Sequence, residues 1–180
     1  NPIHIGHLII ASSIVDETEL KEIWFVVSPQ NPFKTKSSLL NEYDRLHLIE
    51  LAIKDDYRFR SSNIEFNLPK PSYTIDTLNY LWEKHPEHEF SLIMGSDNLK
   101  SFNKWKNHET ILKEVNLIVF KRNGFEMSNY LNHPSVTTLS FPFLDISATY
   151  IREKIKAGKS VKYLIPEASL NYIKEMNFFK

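Results

Sequence analysis

Two imidazoles stand three positions apart around a glycine in Asn1-Pro2-Ile3-His4-Ile5-Gly6-His7. Leu8, Ala11 and Val15, with Ile10 and Ile14 beside them, carry the period of a buried helix that begins at this point. The first-turn N–H groups of a helix have no acceptor within it, and the positive end of its dipole lies in the same place, so anions are favoured there. Gly6 puts no side chain between the backbone and a ligand. The chemistry these residues suit is phosphate binding. A zinc pair is the alternative, but the chain has no cysteine to complete a site. The other histidines (His47, His85, His88, His108 and His133) are scattered through polar segments without ligand spacing, so no metal-ligating residue is expected.

A second stretch has the same character. In Asp145-Ile146-Ser147-Ala148-Thr149-Tyr150-Ile151-Arg152, taking Ser147 as N-cap puts Ile146 at N′ and Ile151 at N4, the spacing of a hydrophobic staple. Ser147 and Thr149 offer hydroxyls beside the first-turn amides. Arg152, more than a turn along, can fork back to a phosphate oxygen. A well-capped surface helix with an exposed arginine explains the same residues, and the segment alone does not choose between the two.

Alternating strands and helices would position both stretches. Residues 22–28 form a continuous apolar run, the mark of a central parallel strand, and end in a Pro-broken loop with two lysines, Lys34 and Lys36. A helix is expected over 41–55, a strand over 57–66, and a helix capped by Ser72 or Thr74 that runs to about Lys84. Buried strands at 90–94 and 115–120 flank a stretch that is helical in pieces around Trp105, and a short strand follows at 137–141. This alternation predicts an α/β fold with a doubly wound parallel sheet, whose ligands collect at the carboxyl ends of the strands, here after Ser28, Gly95 and Phe120. A C-terminal helical segment is expected over about 147–176, within a single domain spanning 1–180.

Composition narrows the partners. With 22 basic and 22 acidic residues the chain has no net charge, which argues against a general nucleic-acid surface but not against a small anionic ligand. Apolar content of 42% and charged content of 24% are ordinary for a soluble globular domain. No apolar run is long enough for a membrane span, and the lack of cysteine fits a reducing, cytoplasmic setting. The sequence starts with Asn in the middle of a motif, so a short leading strand is expected to precede it.

Taken together, an H-x-G-H helix start and an I-S-x-T-x-I-R helix start resemble the nucleotidyltransferase family of the HIGH type. Pro71-Ser72-Tyr73-Thr74-Ile75-Asp76-Thr77-Leu78, Met94-Gly95-Ser96-Asp97-Asn98-Leu99, Trp105, Leu117-Ile118-Val119-Phe120-Lys121-Arg122 and the tail from Ser160 to Phe178 are similar to the bacterial nicotinate mononucleotide adenylyltransferases. The resemblance covers essentially the whole chain. It implies a Rossmann-like nucleotidyltransferase that transfers AMP from ATP to nicotinate mononucleotide, giving deamido-NAD and pyrophosphate in NAD biosynthesis. It further implies that His4 and His7 contact the ATP phosphates, with Gly6 beside them, and that Ser147, Thr149 and Arg152 hold the β,γ-phosphates. Asp97 would lie near the ATP ribose, Lys34 would bind the mononucleotide phosphate, and Tyr73, Thr74 and Trp105 would enclose the pyridine ring. Arg122 is placed over the adenine or phosphates, or is simply an exposed strand-end residue. Mg²⁺ would accompany ATP through phosphate oxygens and water, and self-association is left open. Two departures stand out: the family's leading strand and Gly-x-Phe segment would lie before Asn1, and Lys106 follows the Trp where several relatives carry an aromatic. A cation there is compatible with the acid form of the pyridine. Pantetheine-phosphate adenylyltransferases and cytidylyltransferases share both helix starts, but the Tyr73-Thr74 and Trp105 segments speak against them. A class I aminoacyl-tRNA synthetase fragment would need a Lys-Met-Ser-Lys-Ser-like loop. A nucleotide sensor would not need His4, His7 and Arg152 together.

Overall fold

A computed structural model describes residues 1–30, 39–121, 130–141 and 146–180. Two compact units emerge, one made of residues 1–70 and 144–180, the other of residues 71–143.

The first unit opens with helix α1 (Ile5–Glu17), followed by strand β1 (Ile23–Val26), helix α2 (Glu42–Ile53) and strand β2 (Phe59–Ser62). β1 and β2 are parallel, with Ile23 opposite Phe59 and Val26 opposite Ser62. Only Ile23 of β1 is fully buried; Phe25 packs against the core from one side, and Phe25 and Val26 also line a cavity. The strand expected over 57–66 is shorter. At Asn63 the backbone leaves the extended region (ψ 17°), and a 3₁₀ turn runs over Ile64–Asn67. Asn41 caps α2 by accepting from the Tyr43 N–H.

The chain returns to this unit as α6 (Ala148–Lys156) and α7 (Glu167–Glu175). Ile151, Val161, Ile165, Leu170 and Ile173 pack with Ile3 and Leu48 into one core. Each fully buried aliphatic side chain contributes about 1.5–3 kcal/mol relative to exposure. Two polar bonds fix α7 on α2: the fully buried Ser169 hydroxyl donates to Leu48 O (2.8 Å), and Tyr172 donates to Asp44 Oδ1 (3.1 Å).

The second unit contains α3 (Thr74–Lys84), β3 (Ser91–Gly95), α4 (Ser96–Lys100), a 3₁₀ turn at Phe102–Lys104, α5 (His108–Glu114), β4 (Asn116–Phe120) and β5 (Val136–Leu139). β4 lies between β3 and β5, parallel to both. Its central place explains why Leu117–Phe120 is apolar without alternation: all four are buried. The final strand ends at Leu139, two residues short of the expected limit. Around Trp105 the chain is helical in pieces, as its pattern implied. Asn107 stands in the left-handed region (φ 52°), which asparagine tolerates, and separates the 3₁₀ turn from α5. Among the described residues no helix is long and apolar enough to cross a membrane.

Candidate active site

In the first unit the starts of α1 and α6 come together. His4 is the N-cap of α1 and His7 its N3 residue. The His4 N–H donates to His7 Nδ1 (3.2 Å), and the His7 N–H donates to His4 O (2.9 Å). Because Nδ1 accepts, a neutral His7 ring carries its proton on Nε2. The two rings are 3.8 Å apart between centroids, but their exposure differs: His4 is buried and His7 is open to solvent. The family resemblance implies phosphate contact from both, with His7 the stronger candidate for the transition state, and only His7 is presented outward.

Gly6 has a role beyond ligand approach. A Cβ there would lie 3.0 Å from His4 Nδ1 and 3.1 Å from Cε1, so the glycine makes room for the buried imidazole. The Ile5 N–H is taken by Leu164 O (3.0 Å) and the His7 N–H by His4 O. That leaves the Gly6 N–H as the first-turn donor of α1 with no acceptor among the described residues.

The cap expected on α6 is present. Ser147 Oγ accepts from the Tyr150 N–H (3.1 Å), and Ile146 and Ile151 both join the core below it. Ala148 and Thr149 keep first-turn amides without an acceptor among the described residues. Arg152 donates to Asn1 O (2.8 Å) and to Thr149 Oγ1 (3.2 Å). A Cβ on Gly6 would also be 3.9 Å from Ile146 Cβ, so the two helix starts adjoin directly. Three open amides, the exposed His7 ring and a guanidinium held by two acceptors therefore share one corner of this unit. Such a set is suited to polyanionic oxygen and contains no oxidisable or thiol nucleophilic group.

Beside it lies a cavity of about 230 Å³ lined in part by Asn1, His7, Phe25, Ser28 and Arg45. Arg45 was not singled out from sequence. Its Nε donates to Leu40 O (3.0 Å), and its terminal nitrogens donate to Ser28 O (2.7 Å) and Pro29 O (3.4 Å). It thus ties the carboxyl end of β1 to the stretch leading into α2. Burial pulls its pKa down, opposed by Glu42 and Glu65. Lys34 and Arg122 lie outside the described residues.

The second unit holds the remaining candidates. Tyr73, not Ser72 or Thr74, is the N-cap of α3, and no side chain caps that helix start. Thr74 is its first helical residue, and the Ser72 hydroxyl is turned inward and buried. Trp105 closes the 3₁₀ turn, donating its N–H to Phe102 O (2.9 Å). Its half-buried ring sits 5.5 Å from that of the fully buried Phe102. The next residue, Lys106, reaches back to α3, with Nζ 2.9 Å from both carboxylate oxygens of Asp76 and 4.9 Å from the Tyr73 ring centroid. Asp97 is half-buried in the first turn of α4, directly after the carboxyl end of β3.

At the other end of β3, two histidines that sequence spacing set aside do meet. Glu87 Oε1 lies 3.7 Å from His85 Nδ1 and 3.5 Å from His88 Nε2, on a turn rather than a helix. A backbone hydrogen bond, the largest cause, joins the charge of both histidines and a hydrogen bond from His85 in holding the Glu87 carboxyl below its usual pKa.

The cytidylyltransferase-like family profile matches residues 1–154. A probable nicotinate-nucleotide adenylyltransferase of Cytophaga hutchinsonii is 52% identical over 165 residues, covering 92% of this chain and 86% of the relative. One of the same name from Flavobacterium psychrophilum is 46% identical over 182 residues, covering 100% of this chain and 94% of the relative. Among solved structures, Plasmodium falciparum nicotinic acid mononucleotide adenylyltransferase complexed with NaAD superposes with a TM-score of 0.83, at 21% identity, over 99% of this chain and 92% of that one. At that identity the likeness shows the fold, which is Rossmann-like.

Proposed function

The chain belongs to the cytidylyltransferase-like family, among the nicotinate-nucleotide adenylyltransferases, and we propose that it transfers AMP from ATP to nicotinate mononucleotide, releasing pyrophosphate and forming deamido-NAD. The observation that carries the chemistry is the bond from Arg152 to Asn1 O, which draws the start of α6 against the start of α1.

The reaction is a displacement at the α-phosphorus. A phosphate oxygen of the mononucleotide forms a bond to that phosphorus as the bond to the bridging oxygen of pyrophosphate breaks. The nucleophile is already an anion near neutral pH, so no general base is required. What the protein must supply is alignment of two polyanions and stabilisation of charge on the pentacoordinate centre and the leaving group. His7 donates from Nε2 to the reacting phosphates, in the tautomer set by its Nδ1 bond. His4 lies behind it as support. Gly6, Ala148 and Thr149 present amides, and Ser147, Thr149 and Arg152 hold the β,γ-phosphates. Arg152 needs little reorganisation because Asn1 O and Thr149 Oγ1 already fix its guanidinium.

Mg²⁺ brought in with ATP would supply neutralisation of phosphate charge. Imidazole, guanidinium, hydroxyl and amide donors fit phosphate oxygens, and among the described residues no group of carboxylates gathers at the start of α1. These donors would therefore hold the nucleotide's phosphates, with the ion bound through phosphate oxygens and water. Tyr73, Thr74 and Trp105 enclose the pyridine ring, Asp97 contacts the ATP ribose, and Lys34 takes the mononucleotide phosphate, as the family resemblance implies.

Pyrophosphate release from ATP and Mg²⁺ tests the assignment, with nicotinate mononucleotide, nicotinamide mononucleotide and phosphopantetheine compared as acceptors. Release with nicotinate mononucleotide in clear excess over the others is expected. Release with phosphopantetheine alone, or with none of the three, would overturn it.

A further inference from the structure

We propose that Lys106 is the group by which this protein distinguishes a pyridine carboxylate from the corresponding carboxamide. This inference rests on the ring-site reading above and gives it a specificity-determining residue.

Carboxylate and carboxamide have nearly the same shape, so packing against aromatic rings cannot separate them. Charge can. An ammonium donates to an oxygen of either group, but only the carboxylate adds the attraction of a full opposite charge. The discriminating cation has to be fixed in place, because a lysine on a free four-carbon stem loses rotamer entropy on binding.

Lys106 meets that condition. It follows Trp105 directly, and its Nζ lies 4.9 Å from the centroid of the Tyr73 ring. Both residues that flank it are therefore ones assigned to the pyridine. Asp76, at N3 of α3, receives two of the three ammonium N–H bonds at 2.9 Å each. The third N–H has no acceptor among the described residues. Asp76 thus acts as a positioning residue. It holds the cation beside the Tyr73 ring and leaves one charged donor for a ligand. The pair is half-open, with Lys106 at 44% and Asp76 at 29% side-chain exposure, so a ligand can reach it without moving core residues. A purely structural surface pair of this kind is worth only about 0–1 kcal/mol and would not depend on which pyridine is bound.

The test compares the two mononucleotides, both as binding ligands in calorimetry and as acceptors in turnover, for the wild-type chain, Lys106→Met and Lys106→Arg. In Lys106→Met the acid-over-amide ratio, in both Kd and kcat/KM, should fall about tenfold, equivalent to ~1.4 kcal/mol, through weaker binding of the acid alone. Lys106→Arg should retain most of the ratio, since charge and the reach to Asp76 survive. Lys106→Gln, polar and uncharged, should behave like the Met variant and guards against an effect of altered solubility. An unchanged ratio in Lys106→Met and Lys106→Gln would overturn the proposal even if turnover is strong. If the wild-type chain turns over neither mononucleotide yet shows a Lys106-dependent binding preference for the acid, the transferase reading fails and this one stands.

Discussion

Gly6→Ala sets two effects of known size against each other. The added methyl would lie 3.0 Å from His4 Nδ1 and 3.1 Å from Cε1, tighter than nearly all natural Cβ contacts. His4 is only 6% exposed, so its ring must give by a few tenths of an ångström within packed surroundings. Overpacking of this kind costs about 1–3 kcal/mol. Against it, alanine is favoured over glycine in a helix by up to about 1 kcal/mol, less at a second helical position than in the interior. The net loss of stability should therefore be modest, about 0–3 kcal/mol, at roughly 2–4 °C in Tm per kcal/mol for a chain of this size. Activity should suffer more. The His7 ring lies tilted against the His4 ring at 3.8 Å and accepts the His4 backbone N–H, so a displaced His4 carries His7 with it. Small misplacements of aligned groups cost about 10–100-fold in rate. Circular-dichroism melting paired with the pyrophosphate assay separates the two effects. A variant that melts several degrees lower but keeps kcat within twofold would refute the view that Gly6 serves the imidazole pair.

His7→Ala should lower kcat by about 10²–10³ with little change in the KM for ATP, because one preorganised donor is lost while the open amides and Arg152 remain. Equal losses in nucleotide binding and turnover, read by calorimetry and steady-state kinetics, would count against its transition-state role. At the surface, the Arg58 hydrogen bonds and charge hold the Asp56 carboxyl below its ordinary value of 3.8. A depressed folded pKa means stability that is full above the unfolded pKa and lost as pH falls through the folded one. Arg58→Met should therefore lower Tm at neutral pH and flatten its decline below about pH 4. Identical pH profiles for the two proteins would show that the pair carries no linkage.

Local patterns were the legible part of this sequence. The Ser147 cap and its Ile146–Ile151 staple span only a few residues, so sequence spacing alone located the start of α6 correctly. β4 announced itself because a strand buried on both faces needs apolar residues throughout. Arrangement in space was less visible. Spacing alone does not say that His4, the extended N-cap of α1, is buried while His7, three residues on, is exposed. The cap of α3 was misplaced at Ser72 or Thr74 because a polar residue near a helix start usually serves as cap, whereas here Tyr73 takes that position and Ser72 turns inward. Arg45, whose partners are backbone carbonyls up to 17 residues away, and Lys106, paired with Asp76 across 30 residues, leave no local signature. The His85–Glu87–His88 group has no ligand spacing in sequence, because a turn rather than a helix brings it together.

The bond from Arg152 to the carbonyl of Asn1 also bears on folding, since it joins residues 151 apart in sequence. All of residues 71–143 form a separate compact unit between the two parts it connects. Helices α1 and α2 can form while the chain is still growing, but the corner where α1 meets α6 requires closure of a loop that contains another folded unit. Loop-closure entropy makes such non-local contacts late and slow. During synthesis the anion corner cannot assemble until α6 has left the ribosome, so competence to bind the nucleotide reports on nearly complete folding. A nucleotide present at that moment would favour the closed form by mass action, and the substrate would thereby assist the last step of its own site's assembly.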